Sequence, residues 1–205
     1  MSAAQDAEEK ARVRAVLLAR RRALSQKDVQ ARGAAVQARL LATPEFRTAA
    51  TVALYAALPG EVPTDALLAA ALAQGKRVAF PVVPSTGRCL TFRAVDSAAQ
   101  LVPAGRLHIP EPLAGCPEVA LLSVELFVVP GLGFSHVGQR LGRGAGYYDA
   151  TLARASPSTP RVGLAFSEQV REALPSGPGD VSVHWVLTED AAFAAPGAKA
   201  TVLGA

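Results

Sequence analysis

The sequence predicts an α/β protein: a single three-layer domain over residues 1–205, its mostly parallel sheet flanked by helices, with two helices ahead of the first strand. Three observations predict it. From residue 51 onward, short β-branched runs alternate with segments of helical spacing, the pattern of βαβ units. The run Phe127-Val128-Val129-Pro130 is apolar throughout, as in a strand buried on both faces. The first 50 residues carry two helical stripes and no strand-like run.

Composition bounds the function classes. Half the residues are hydrophobic and 19% are charged, a globular balance. No run of about 18 apolar residues occurs, and Asp6, Glu8 and Glu9 stand where a signal peptide would be apolar. A soluble cytoplasmic protein is expected. Cys89 and Cys116 lack CxxC spacing and read as inert core thiols, and His108, His136 and His184 lack zinc-site spacing. Any bound metal is expected to be hard. Ten of the 21 Lys and Arg lie in residues 1–50, with five of the 17 Asp and Glu. Such an excess suits solvated helix faces, a few anion ligands or a nucleic-acid arm.

The elements follow in order. Residues 6–24 form a helix without Gly or Pro, with Val13, Val16, Leu17 and Leu24 on its apolar stripe. Lys10, Arg14 and Arg21 project within about 40° of one another at its border, either as flanking cations or as cations aimed into a cleft. Ser25 with Asp28 resembles a capping box, and Val29, Val36 and Leu40 carry a second helix to Thr43-Pro44. Residues 51–55 form the first strand, and a loop holding Glu61 leads to Thr64, expected to cap a third helix that stops at Gly75. Residues 76–83 return as a strand, which completes a βαβ unit. Residues 89–95 read as an edge strand and the Pro-rich HIPEP segment as a loop over the sheet. After the 127–130 strand come a helix over 147–155, a strand over 161–166, a short helix over 168–173 and a last strand over 183–188.

The stretch from Gly131 to Gly146 carries the chemistry. It holds six glycines and the cations Arg140 and Arg143, so the backbone can approach a ligand amid fixed positive charge. Its Gly142-x-Gly144-x-Gly146 spacing is neither a dinucleotide fingerprint nor a P-loop. Taken alone it permits two readings, a compact surface turn or an anion site leading into a helix N-terminus. Ligands of such a sheet sit beyond the carboxyl ends of the strands, where this stretch, the Glu61 loop and the Asp180 loop are expected to meet.

The segment from Pro130-Gly-Leu-Gly-Phe134 through Gly138-x-Arg140-Leu-Gly-Arg-Gly-Ala-Gly-Tyr-Tyr-Asp149 resembles the signature of the 5-formyltetrahydrofolate cyclo-ligase family. Lys10-x-x-x-Arg14, Leu58-Pro-Gly-Glu61-x-x-Thr64, Ile109-x-Glu111-Pro112 and the Asp180 loop stand in the family's order, so the likeness spans nearly the whole chain. The resemblance implies ATP-dependent closure of 5-formyltetrahydrofolate to 5,10-methenyltetrahydrofolate through a phosphorylated formyl group. Lys10 and Arg143 would be catalytic. ATP would contact Lys10, Arg14, Arg140, Leu141, Gly142, Arg143, Gly144, Ala145, Gly146, Tyr147 and Tyr148. The folate would contact Glu61, Arg143, Gly144, Gly146 and Tyr147, and Mg²⁺ would take Asp149 and Asp180. Small-molecule partners, no nucleic acid, no membrane and a monomer are expected. The second reading is a non-catalytic nucleotide- or RNA-binding protein on the same fold. Ala145, Ser135, His184 and Leu107 depart from the family's pattern.

Overall fold

In the computed structural model, which describes residues 3–105 and 108–198, two long helices come first, α1 (Ala3–Arg22) and α2 (Gln26–Leu41). Ser25 starts α2: its hydroxyl accepts from the Asp28 amide at 3.1 Å and donates to the Asp28 carboxylate at 2.6 Å, so only half of a capping box forms. A short α3 (Pro44–Thr48) follows, where the sequence predicts only an end. Thr43 Oγ1 accepts from the Phe46 amide at 3.2 Å and Pro44 takes the first helical position, so the same pair also starts a helix.

The chain then lays down β1 (Thr51–Ala53), α4 (Asp65–Ala73), β2 (Arg77–Val82) and β3 (Thr91–Val95). Next come β4 (Leu101–Ala104), β5 (Ile109–Pro112), β6 (Glu118–Val119), β7 (Leu126–Val129), β8 (Gly133–Ser135) and β9 (Arg140–Leu141). The last elements are α5 (Tyr147–Leu152), β10 (Arg161–Leu164), β11 (Val170–Arg171), β12 (Trp185–Leu187) and β13 (Ala192–Ala194). Eight strands share one sheet in the order β13, β12, β10, β7, β1, β2, β3, β6. From β12 to β2 all neighbours are parallel, and antiparallel pairs close both edges.

Period-two alternation divides the core between two faces. Val52, Val78, Phe80, Leu126 and Val128 pack with Val36 and Leu40 of α2, Phe46 of α3 and Leu67 of α4. Ala53, Ala79, Phe127 and Val129 face the other way, onto Leu152 of α5. Full burial of each large side chain contributes about 1.5–3 kcal/mol, so these two layers fix the sheet between its helices. Helix α1 packs elsewhere. Leu17 meets Leu132, Leu141 and Leu174, with Val13 and Leu18 alongside. Val16, expected on the buried stripe, is 40% exposed. A small sheet formed by β11, β8 and β9, rather than the main one, is the partner, and it covers a narrower face of the helix.

Several expectations change. The HIPEP segment is a strand: β5 pairs antiparallel with β4, Pro103 opposite Pro110. Proline is tolerated because a two-stranded ribbon leaves half its amides outside the ladder. The strand over 89–95 is not at the edge, since β6 pairs outside it. The glycine-rich stretch contains the β8–β9 hairpin, and residues 168–173 form a 3-10 turn (Ser167–Gln169) and β11 instead of a helix. Thr64 does not cap α4 with its side chain. Its hydroxyl donates to the Tyr55 carbonyl at 2.8 Å, and Gln37 of α2 accepts from the Ala66 and Leu67 amides instead. Cys116 is buried and Cys89 partly so, both as free thiols.

Strand β1 has β2 on one side and β7 on the other. The connections from β1 and β7 therefore leave in opposite directions, and a crevice opens at their carboxyl ends. Among the described residues no helix is long and apolar enough to cross a membrane.

Candidate active site

The wall after β1 is a pinned turn. The Tyr55 hydroxyl donates to the Val62 carbonyl at 2.8 Å, and the Leu58 amide donates to Glu61 Oε2 at 3.0 Å. These bonds hold Glu61, 9% exposed, at the floor of the crevice. Arg21 of α1, only 3% exposed, donates from Nη1 to Glu61 Oε1 at 2.9 Å, and Arg143 Nη2 reaches the same oxygen at 3.8 Å. One carboxylate thus serves two guanidiniums.

The wall after β7 is built on Arg140 of β9. Its Nη2 donates to Asp149 Oδ1 at 2.7 Å, its Nη1 donates to the Pro130 carbonyl at 3.4 Å, and its guanidinium lies 5.7 Å from the Tyr148 ring centre. The Val181 amide also donates to Asp149 Oδ1, at 3.1 Å, which draws the Asp180 loop against this wall. Helix α1 closes the assembly: Lys10 Nζ donates to Asp180 Oδ2 at 2.5 Å and Arg14 Nε donates to the Gly142 carbonyl at 3.0 Å. The three cations of the α1 border therefore all turn inward.

A cavity of about 1050 Å³, its open mouth included, lies between these walls. Of the residues predicted from the sequence, Arg14, Glu61, Arg140, Gly142, Arg143, Gly144, Ala145, Gly146, Tyr147, Tyr148 and Asp149 line it. Leu141 does not; its side chain is buried against Leu17. Lys10 and Asp180 stand outside the lining as a pair beside it. Opposite the charged wall, Pro81, Val83, Leu90 and Ile109 form an apolar side suited to a flat ring.

Electrostatics follow from burial. The Tyr148 hydroxyl is pushed up by burial and further by Glu61, with Arg140 opposing, so it stays a neutral donor. It is buried and has no hydrogen-bond partner among the described residues, as is true of Arg140 Nε. Burial lowers Arg21, Glu61 works against that, and the charge of Arg143 adds to it. Burial tends to raise the Asp180 carboxyl, but the Lys10 bond, the Gly177 amide and the Lys10 and Arg140 charges outweigh it and hold it low. Asp149 and Asp180 each keep one oxygen clear of these bonds. Hard carboxylate donors in that number suit a cation that also takes phosphate oxygens and water. Among the described residues no group of three or more His, Cys, Asp or Glu gathers for a metal.

Sequence reasoning left Arg21 and Glu111 without a role and missed Tyr55, which also lines the cavity. Arg21 shares its helix face with Lys10 and Arg14, and Glu111, 7% exposed with Oε1 accepting from the Val83 amide at 3.3 Å, lies in the IPEP segment. Both signals were present. Two departures from the family pattern are internal: Ser135 Oγ accepts from the Gln139 amide and His184 Nδ1 from the Arg161 amide, each at 3.0 Å. Ala145 lines the cavity, and Leu107 lies outside the described residues.

Comparisons with known proteins point to one family. The 5-formyltetrahydrofolate cyclo-ligase family model matches residues 6–189. A 5-formyltetrahydrofolate cyclo-ligase of Escherichia coli K12 is 35% identical over 172 residues, covering 82% of this chain and 94% of that protein. A mouse protein of the same name is 30% identical over 189 residues, covering 87% and 92%. The solution structure of an Aquifex aeolicus 5,10-methenyltetrahydrofolate synthetase superposes with a TM-score of 0.79 at 31% identity, covering 96% of each chain. Family match, length and architecture coincide over one stretch, and the chain belongs to the 5-formyltetrahydrofolate cyclo-ligase family.

Proposed function

We propose that the chain, acting as one domain, converts 5-formyltetrahydrofolate and ATP to 5,10-methenyltetrahydrofolate, ADP and phosphate. The observation that carries this reading is the crevice itself: Glu61 on one wall faces Arg140, Arg143 and the Gly142–Gly146 backbone on the other, with α1 cations between. Such a site can take a flat donor-rich ring and a polyphosphate side by side.

The formyl oxygen is a poor leaving group. Transfer of the γ-phosphoryl to it makes an imidate-like phosphate; N10 then attacks the formyl carbon and loses its proton, and the former formyl oxygen departs within inorganic phosphate. Transfer of this kind depends chiefly on positioning and on stabilising charge. Arg14 and Arg143 flank the glycine backbone and would hold phosphate oxygens, with Lys10 behind them. Glu61 would accept hydrogen bonds from the ring, and Tyr147 would border it. Asp149 and Asp180 would hold Mg²⁺, which when bound neutralises phosphate charge. Burial of the Arg21–Glu61 pair fixes the acceptor, and removing one partner of such a pair costs about 3–5 kcal/mol.

The test mixes purified protein with 5-formyltetrahydrofolate, ATP and Mg²⁺ and follows the methenyl chromophore. ATP-dependent product is expected; a folded sample that makes none overturns the reading. A role in binding RNA draws no support from Lys10, Arg14 and Arg21, which are engaged by Asp180, Gly142 and Glu61.

A further inference from the structure

Arg88 is a placed cation without a counter-charge among the described residues. It lies in the connection between β2 and β3, exposed, and makes no hydrogen bond or ion pair with another described residue. Its side chain nevertheless rests on the glycine-rich stretch. A Cβ added at Gly146 would lie 3.7 Å from Arg88 Nη1 and 3.8 Å from its Cδ. Arg14 stands in the same relation to Gly144, 3.5 Å from an added Cβ to its Cζ. Both distances are ordinary van der Waals separations, so each guanidinium lies alongside its glycine, and the positive φ of +106° at Gly144 and +74° at Gly146 is the backbone conformation that favours glycine there. The stretch is approached by one arginine from α1 and by another from the β2–β3 connection. They differ in one respect: Arg14 is bonded to the Gly142 carbonyl, whereas no donor of Arg88 is bonded to a described residue. Val83 and Leu90 of the same connection line the cavity as an apolar wall, and Arg88 stands outside that lining, so a ligand long enough to extend past the wall would meet this guanidinium.

We propose that Arg88 is a further anion-binding residue of the site, taking an oxyanion at the charged end of a substrate: a carboxylate of the folate tail or a phosphate oxygen of ATP. A planar fork with free donors suits either group. The inference rests on the reaction proposed above, so its test reads binding as well as turnover. Calorimetric Kd values for 5-formyltetrahydrofolate and for MgATP are measured on the full chain, on Arg88→Ala, on Arg88→Lys and on Arg77→Ala, a surface cation at the amino end of β2, together with KM and kcat. Arg88→Ala is expected to weaken one ligand by about three- to tenfold, as loss of a partly exposed charge pair would. Arg88→Lys should recover part of this, and Arg77→Ala should bind as wild type. Weakening of the folate alone identifies the carboxylate, and weakening of ATP alone the phosphate. Kd values within about twofold of wild type for both ligands, or an equal loss in Arg77→Ala, would overturn the proposal. A wild-type chain that binds but does not turn over would sink the reaction while the Kd values still decide the role of Arg88; a wild type that binds neither ligand overturns both.

Discussion

Arg143 and Arg12 carry the same charge and differ in what they touch. Arg143 reaches the buried Glu61 while its side chain stays 54% exposed at the cavity, so its field is directed at an incoming ligand. Arg12 pairs with Glu9 on the solvent face of α1. Arg143→Ala is expected to lower kcat/KM by about 100-fold, the usual loss for one transition-state donor, and Arg12→Ala to leave it unchanged. Steady-state assays of the two variants check this. At this scale the sequence reads well where the cavity lining is contiguous: Arg140, Gly142, Arg143, Tyr147, Tyr148 and Asp149 lie in one run. Arg88, whose role is a proposal, carries no such signal, because only the fold brings a lone arginine of a Ser-Thr-Gly loop near a distant glycine.

Among elements, β10 contains a glycine where sheet packing leaves no room. A Cβ at Gly163 would fall 2.4 Å from Cε1 of Phe134, whose ring fills that space. Gly163→Ala is expected to destabilise by about 1–3 kcal/mol, read as a lower urea midpoint, with the assembly of the distant Arg21–Glu61 pair unaffected in the native state. The strands β1, β2, β7 and β10 and the helices α1, α2 and α4 were legible because their periodicity is local. What was not legible depends on partners distant in sequence. Gln37 replaces Thr64 as the cap of α4, residues 170–171 become a strand because β8 offers an edge, and Pro110 enters a strand because β4 lies beside it. In each case tertiary pairing overrides the local preference.

For the whole molecule, acid should act early at one seam. Burial, and then the charge of Arg161, hold His184 below its usual 6.5, and its Nδ1 must stay unprotonated to accept the Arg161 amide that joins β10 to the entry of β12. A depressed folded value means stability is complete above about 6.5 and is lost as pH falls from there through the folded value. Thermal melts at stepped pH should show that decline, and it should be shallower in His184→Asn, whose side-chain oxygen still accepts a bond without taking up a proton. Helix α1 should respond to ligand most strongly. It is joined to the body by one small apolar cluster and by the Lys10, Arg14 and Arg21 contacts. Amide exchange in α1 is therefore expected to slow more on adding MgATP than exchange in β7.

The Lys10–Asp180 pair also sets a timetable for synthesis. Its partners are 170 residues apart, which at about 5–20 residues per second separates their emergence by roughly 10–30 s. During that interval α1 has neither Asp180 nor the Leu174 side of its apolar cluster available, although α2, α3 and the β1–α4–β2 unit already exist. The nascent chain can thus assemble its scaffold early, while the basic helix waits for its last partners and ligand competence comes only once Asp180 has emerged.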